Sequence, residues 1–330
     1  MRQKHLRRDR VPTVAEYLEY WLHQSVKPRL RPLTFAGYSV NVRKHLVPTL
    51  GKVRLDRLTP QQVQEMMNDR IAAGFSAKSV AYMHQVLRTA LELARRWELI
   101  DRNVASLVDP PRRVRPKIQP LTPDEARRFL DGVRGHRLEA LFSVALAMGL
   151  RQGEALGLRW EDVDTTQGVL WVRNQLQRID GRLTLVEPKT ERSRRTLVVP
   201  TSIIQRLRDH EARQVAERLL AGSKWLESGF VFTNRTGGPL QARRVIEDFH
   251  KVLKSANLQR IRFHDLRHSC ATLLLVQEVP DRVVMQILGH SDISMTLEYI
   301  HVIPELQRKA AERMESLISR DSHVQREPER

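Results

Sequence analysis

The sequence predicts a mainly α-helical protein with a small antiparallel sheet, built as a helical bundle followed by a mixed α+β domain. Three observations carry that prediction. The chain has 330 residues, more than a single hydrophobic core usually serves. Its first third repeats apolar residues at helical spacing with no convincing strand. A basic, proline-rich break then leads into a stretch where helical runs alternate with short strand-like pieces.

Each element can be argued in order. Residues 1–11 form a basic segment, and the helical bundle is expected over 12–109. Thr13-Val-Ala-Glu16 has the spacing of a capping box and opens an apolar-periodic run through Tyr17, Leu18 and Trp21. A second helix is predicted over about 34–46. Thr59-Pro60 supplies a cap and an N1 proline for a third over about 61–73. The longest periodic run, about 79–97, sets Val80, Met83, Val86, Leu87, Ala90, Leu91 and Ala94 on one face. Pro110, Pro111 and Pro116 then exclude a helix, and Arg112, Arg113, Arg115 and Lys117 keep the segment solvated. Residues 110–118 read as a basic linker able to lie along a phosphate backbone.

A second domain is expected over 119–320, with a polar tail over 321–330. Thr122-Pro123-Asp124-Glu125 restarts a helix, and the nearly all-apolar Leu138–Met148 reads as a buried one. Strands are expected at about 168–173, 183–186, 195–199 and 230–233. Helices follow at about 201–220, 242–254, 265–277 and 281–288, and a last amphipathic helix at about 304–318. There is no internal repeat.

Composition narrows the function classes. The net charge is +18, with 23 Lys+Arg against 10 Asp+Glu in residues 1–118 and 33 against 28 in 119–330. Such an excess suits a polyanionic partner, double-stranded DNA above all. A membrane surface would need a basic amphipathic anchor, which is absent, and no apolar run is long enough to span a bilayer. The opening residues lack the apolar core of a secretory signal, so a cytoplasmic, nucleoid-associated protein is expected. The single cysteine, Cys270, excludes an internal disulfide or a cysteine-based zinc site and reads as a buried helical residue.

Five segments of the second domain carry candidate chemistry. They are Gly149-Leu150-Arg151-Gln152-Gly153-Glu154, Pro188-Lys189-Thr190, His264-Asp265-Leu266-Arg267-His268, Leu288-Gly289-His290 and Thr296-Leu297-Glu298-Tyr299. In this order and spacing the chain resembles the tyrosine recombinase (phage integrase) family, from about Val11 to Tyr299. The resemblance implies a core-binding bundle, a catalytic domain and a clamp around DNA. It assigns Arg151, Lys189, His264, Arg267 and His290 to catalysis and Tyr299 to nucleophilic attack. Met148 departs from the pattern, standing where threonine is common. Residues 1–11 are too short for the extra arm-binding domain of many phage integrases, so either a two-domain recombinase or a shortened form of a longer chain is expected.

The residue types fit that chemistry. Tyr299 is the only tyrosine after the linker, and its phenol oxygen can hold a phosphodiester bond's energy while the strand is open. Attack on phosphorus builds charge on the non-bridging oxygens, which the planar forks of Arg151 and Arg267 can absorb. Lys189, in a turn between strand-like segments, can protonate the leaving 5′ oxygen. His264 lies three residues before Arg267, one helical turn away, and His290 can donate a further hydrogen bond. Glu154 can orient Arg151, and His268 is expected to pack or orient rather than bind zinc, since no third ligand is evident. Arg192, Arg194 and Arg195 read as backbone contacts or solvated charges, with Arg192 and Arg194 assigned to DNA binding. No cofactor and no metal are expected.

The implied partners are inverted DNA half-sites, a homotetramer on paired sites, and optionally a DNA-bending or directionality factor. The rival readings are a type IB topoisomerase, which shares the catalytic set, an idle DNA-binding regulator, and a metal-dependent nuclease. The complete set of six residues argues against the regulator, and the missing carboxylate cluster against the nuclease.

Overall fold

The computed structural model describes residues 10–112, 119–179, 181–188, 193–289, 311–312 and 314–315. The chain divides into two compact units, Met1–Pro116 with Arg178–Arg182, and Lys117–Gln177 with Leu183–Arg330. The predicted final helix at 304–318 lies mostly outside the described residues.

Residues 10–112 of the first unit are mainly helical. Helix α1 (Val14–Trp21) begins at a complete Thr13/Glu16 capping box and passes through a π-helical turn (Leu22–Val26) into α2 (Lys27–Arg29). Helix α3 (Pro32–Asn41) passes through a second π-helical turn (Val42–Leu46) into α4 (Val47–Leu50). In both places a proline follows two residues after the turn, Pro28 and Pro48. Proline has no N–H and its ring collides with the carbonyl four residues back. The helix answers by widening, so that Lys27 N–H reaches Leu22 and Val47 N–H reaches Val42.

Helix α5 (Pro60–Ala72) starts at a second complete capping box, Thr59/Gln62. Helix α6 (Ala77–Arg96), capped by Ser76, buries the whole predicted stripe from Val80 to Ala94. Tyr17 is fully buried beneath it and donates its hydroxyl to the Ala90 carbonyl at 2.5 Å.

In the second unit, α7 (Pro123–Gly132) leaves a third complete capping box, Thr122/Glu125. Helix α8 (Glu139–Ala147) is the central element, buried from Ala140 to Leu146, which its nearly uninterrupted apolar sequence required. The short α9 (Gln152–Leu156) follows it. Strands β1 (Val163–Asp164), β2 (Val169–Val172) and β5 (Arg195–Val198) form an antiparallel sheet in the order β1-β2-β5, with Leu170 opposite both Val163 and Leu197. Strands β3 (Gln175–Ile179) and β4 (Arg182–Val186) form a separate two-stranded sheet. The strand predicted at 230–233 is reduced to isolated bridges, Phe230 with Arg159 and Thr233 with Pro239.

Helices α10 (Thr201–Ala221), α11 (Ala242–Ser255), α12 (Asp265–Val276) and α13 (Asp281–Leu288) complete the unit. Phe129, Phe142, Phe249 and Phe263 pack edge-on and tilted against one another at its centre, with centroids 5.5–6.3 Å apart. Cys270 is buried beside Leu275, Val284 and Leu288 in a smaller cluster that joins α12 to α13, and burial pushes its thiol up to about 12. No helix among the described residues is long and apolar enough to cross a membrane.

Candidate active site

Three segments meet at the end of the buried helix α8. After Ala147 the chain turns through Gly149 at φ +58°, a left-handed conformation that favours glycine, and an added Cβ there would collide with the Leu288 side chain. The turn aims the Gly149 carbonyl at α12 and delivers Arg151 to the N-cap of α9.

Glu154 organises this corner. Its carboxylate accepts the Arg151 backbone N–H at 3.0 Å and the Arg151 Nη1 at 2.7 Å. It also accepts Arg195 Nη2 at 2.9 Å. The Glu154 and Arg195 side chains are only 2% and 6% exposed, whereas Arg151 is 33% exposed. Burial alone would raise the Glu154 carboxyl, but the cations of Arg195 and then Arg151 hold it below the ordinary carboxylate value.

Arg267 enters from the first turns of α12 and is 2% exposed. It donates Nη1 to the Gly149 carbonyl at 2.8 Å and Nη2 to the Leu288 carbonyl. A fully charged group this deep must be met by acceptors, and two backbone carbonyls supply them. The α12 N-terminus is braced by Asp265, which accepts the Arg262 backbone N–H at 2.7 Å and its guanidinium at 2.6 Å.

His264 is the N-cap residue of α12. Partial desolvation and the cations of Arg267 and Arg151 lower its pKa, so the ring is neutral near pH 7. His268 stands one turn on, its ring perpendicular to that of His264 with centroids 4.8 Å apart. Burial, followed by the His264 charge, lowers His268 to about 4. Its 4.0 Å approach to Asp265 is therefore a contact of a neutral ring and not an ion pair at neutral pH. No group of three metal-ligating side chains occurs among the described residues.

Of the residues singled out in the sequence, Arg151, Glu154, His264, Arg267 and His268 are thus gathered at one corner. Lys189, His290 and Tyr299 lie outside the described residues, as do Arg113, Arg115, Lys117 and Arg192. The described chain brackets them: β4 and Pro188 lead to Lys189, and Gly289, left-handed at φ +64°, ends α13 just before His290. Arg112 is exposed. Arg194 is half-exposed and paired with Glu187 at 2.6 Å.

Arg195 corrects the sequence reading. It was expected to be a backbone contact or a solvated charge, yet its side chain is almost out of solvent and bound to Glu154. The signal was in the strand alternation: with side chains on opposite faces at successive positions, Arg195 shares a face with Leu197 and Val199, both buried.

Comparison with known proteins places the chain in a family and a fold. Residues 119–305 match the phage integrase family, and residues 13–70 match the phage integrase N-terminal SAM-like domain. A XerC-like tyrosine recombinase of Caldanaerobacter subterraneus is 31% identical, over 92% of this chain and 83% of its own length. An integrase of Saccharopolyspora erythraea is 29% identical, over 92% of this chain and 82% of its own. Among solved structures, the Tn1549 transposon integrase in complex with a circular intermediate DNA superposes with a TM-score of 0.75 at 24% identity, covering 92% of this chain and 99% of that one. The lambda integrase tetramer bound to a Holliday junction gives 0.65 at 19% identity, covering 88% and 78%.

The histidine pair makes stability depend on pH in a defined direction. An unfolded histidine titrates near 6.5 and folded His268 near 4, so between these values the unfolded chain binds more protons. The stability His268 supports is complete above pH 6.5 and is lost as pH falls toward 4. Replacing it by glutamine (His268→Gln) is expected to flatten the fall of the urea midpoint across that window by up to one proton's worth of slope. Parallel curves for the two proteins would show that His268 is not held neutral.

Proposed function

The chain belongs to the phage integrase family of tyrosine recombinases, and from that premise we propose that it recombines specific DNA sites through a covalent link to Tyr299. As a member it cuts and rejoins DNA. The observation that carries the finer reading is the convergence of Arg151, His264 and Arg267 on one corner, next to the segments that lead to Lys189 and His290. A scissile phosphate at that corner would meet the partly exposed Arg151, the His264 ring and the Arg267 cation.

The steps balance as a transesterification. The Tyr299 phenol oxygen attacks phosphorus and the P–O5′ bond breaks, leaving a 3′-phosphotyrosyl link and a 5′ hydroxyl. The phenolic proton passes to a nearby base, for which neutral His264 is suited, and Lys189 protonates the departing oxygen. The arginines and His290 absorb the charge that grows on the non-bridging oxygens. Attack by a partner strand's 5′ hydroxyl reverses the steps and completes the exchange without hydrolysis.

Charge supports DNA contact by residues 12–109 and by the 110–118 segment, whose Arg112, Arg113, Arg115 and Lys117 suit phosphates, with Arg192 and Arg194 adding contacts beside Lys189. The SAM-like match over 13–70 favours recombination over simple strand relaxation. Inverted half-sites and a homotetramer on paired DNA complete the reading, supported by the resemblance to the lambda integrase tetramer.

A binding selection from random duplexes, followed by single-turnover cleavage on a nicked duplex of the selected sequence, tests this. Tyr299→Phe should bind as the native chain does yet leave no protein–DNA adduct on a denaturing gel; an adduct that survives moves the nucleophile elsewhere. Lys189→Ala should slow cleavage by about 10²–10⁴-fold. A substrate with sulfur at the 5′ bridging position leaves as a thiolate that needs no proton and should restore most of that loss. A loss of equal size on both substrates would remove Lys189 as the acid.

A further inference from the structure

Arg195 takes no part in the chemistry just described, yet its guanidinium is spent on two elements of the site. Nη2 donates to Glu154 at 2.9 Å and Nε to the Ile287 carbonyl at 2.7 Å, while Nη1 holds its own strand at the Ser193 carbonyl, 3.1 Å away. The carboxylate it grips is the one that orients Arg151. The carbonyl it grips belongs to the last turn of α13, next to Leu288, whose carbonyl accepts from Arg267. One side chain on β5 therefore ties the Arg151 corner to the helix end that Arg267 also holds. Two guanidinium groups on successive carbonyls at a helix C-terminus are favoured by the helix dipole.

A purely structural ion pair would need only the first of these bonds. We propose that Arg195 is a positioning residue for strand cleavage, acting through Glu154 to fix the guanidinium of Arg151 and through Ile287 to fix the end of α13, from which the chain continues to His290. This rests on the recombinase reading. Lysine cannot replace it: an ammonium on a flexible stem lacks the planar fork that reaches a carboxylate and a carbonyl in divergent directions. Small misplacements of a charge-stabilising group are costly, on the order of 10²-fold in rate.

The test uses the full chain and single-turnover adduct formation on the selected nicked duplex. Arg195→Ala and the more conservative Arg195→Lys are each compared with the native chain, and each is also placed in an Arg151→Lys background. Both single variants should bind the duplex within about threefold of the native chain. Cleavage should slow by roughly 10²-fold for alanine and roughly 10-fold or more for lysine. With Arg151→Lys already present, the further loss should shrink to about threefold or less, because the two residues act as one unit. On a duplex with a neutral methylphosphonate at the scissile position, the Arg195 penalty should shrink together with that of Arg151→Lys, since there is less charge to absorb.

Should the alanine variant fail to fold, the lysine variant decides by the same comparisons. Fully additive losses, or an equal penalty on the charged and neutral phosphorus, would show a merely structural role and overturn the inference. A native chain that forms no Tyr299-dependent adduct would overturn the recombinase reading and the inference with it.

Discussion

A carboxylate almost out of water, held between two guanidinium groups, is the constraint around which the second unit is arranged. Glu154 cannot stay ionised at 2% exposure unless cations lie against it, and Arg151 and Arg195 approach it from separate elements. Breaking such a pair leaves a buried charge uncompensated, which costs about 3–5 kcal/mol, so the three residues fix each other's positions. The same logic holds for Arg267, whose burial obliges the Gly149 turn and the α13 end to present carbonyls. These contacts hold the corner's charges and dipoles in fixed positions, the arrangement that charge-stabilising sites require.

Burial does most to lower both histidines, and the guanidinium groups of Arg267, Arg151 and Arg262 lower His264 further. A neutral imidazole beside two guanidinium groups can accept a proton, which a charged one cannot. An incoming phosphate reverses the balance, since its negative charge favours the protonated ring. The basic excess of the chain works on a longer range, setting up a field that favours a polyanion and that salt screens.

Much of this was legible in the sequence, and the reasons are local. Three capping boxes, at Thr13, Thr59 and Thr122, start their helices where their spacing predicted, because a cap needs only four neighbouring residues. The stripe of α6 and the apolar run of α8 likewise state their own burial. Arg151 could be suspected because a charge following an apolar run must find an anion. What escaped depends on distant partners or on backbone detail. The π-helical turns before Pro28 and Pro48 carry the first helix past Trp21 to Arg29 and the second past 46 to Leu50. Phe230 and Thr233 make single bridges instead of a strand, as their neighbours offer no continuous edge. Arg195 was read with the basic cluster around it, and its contacts with Glu154 and with Ile287, 92 positions away, reveal what it holds.

The central claim is that a phosphate bound at this corner is transferred to one phenol. Tryptic digestion of the covalent protein–DNA adduct, followed by nuclease trimming and mass spectrometry, reads this directly. Cleavage after Arg282 and Arg308 releases residues 283–308, a peptide that contains Tyr299 and no other tyrosine. The account predicts that the nucleotide remnant is esterified through its 3′ phosphate to Tyr299 of that peptide. A remnant on any other side chain, or one joined through a 5′ phosphate, would contradict it.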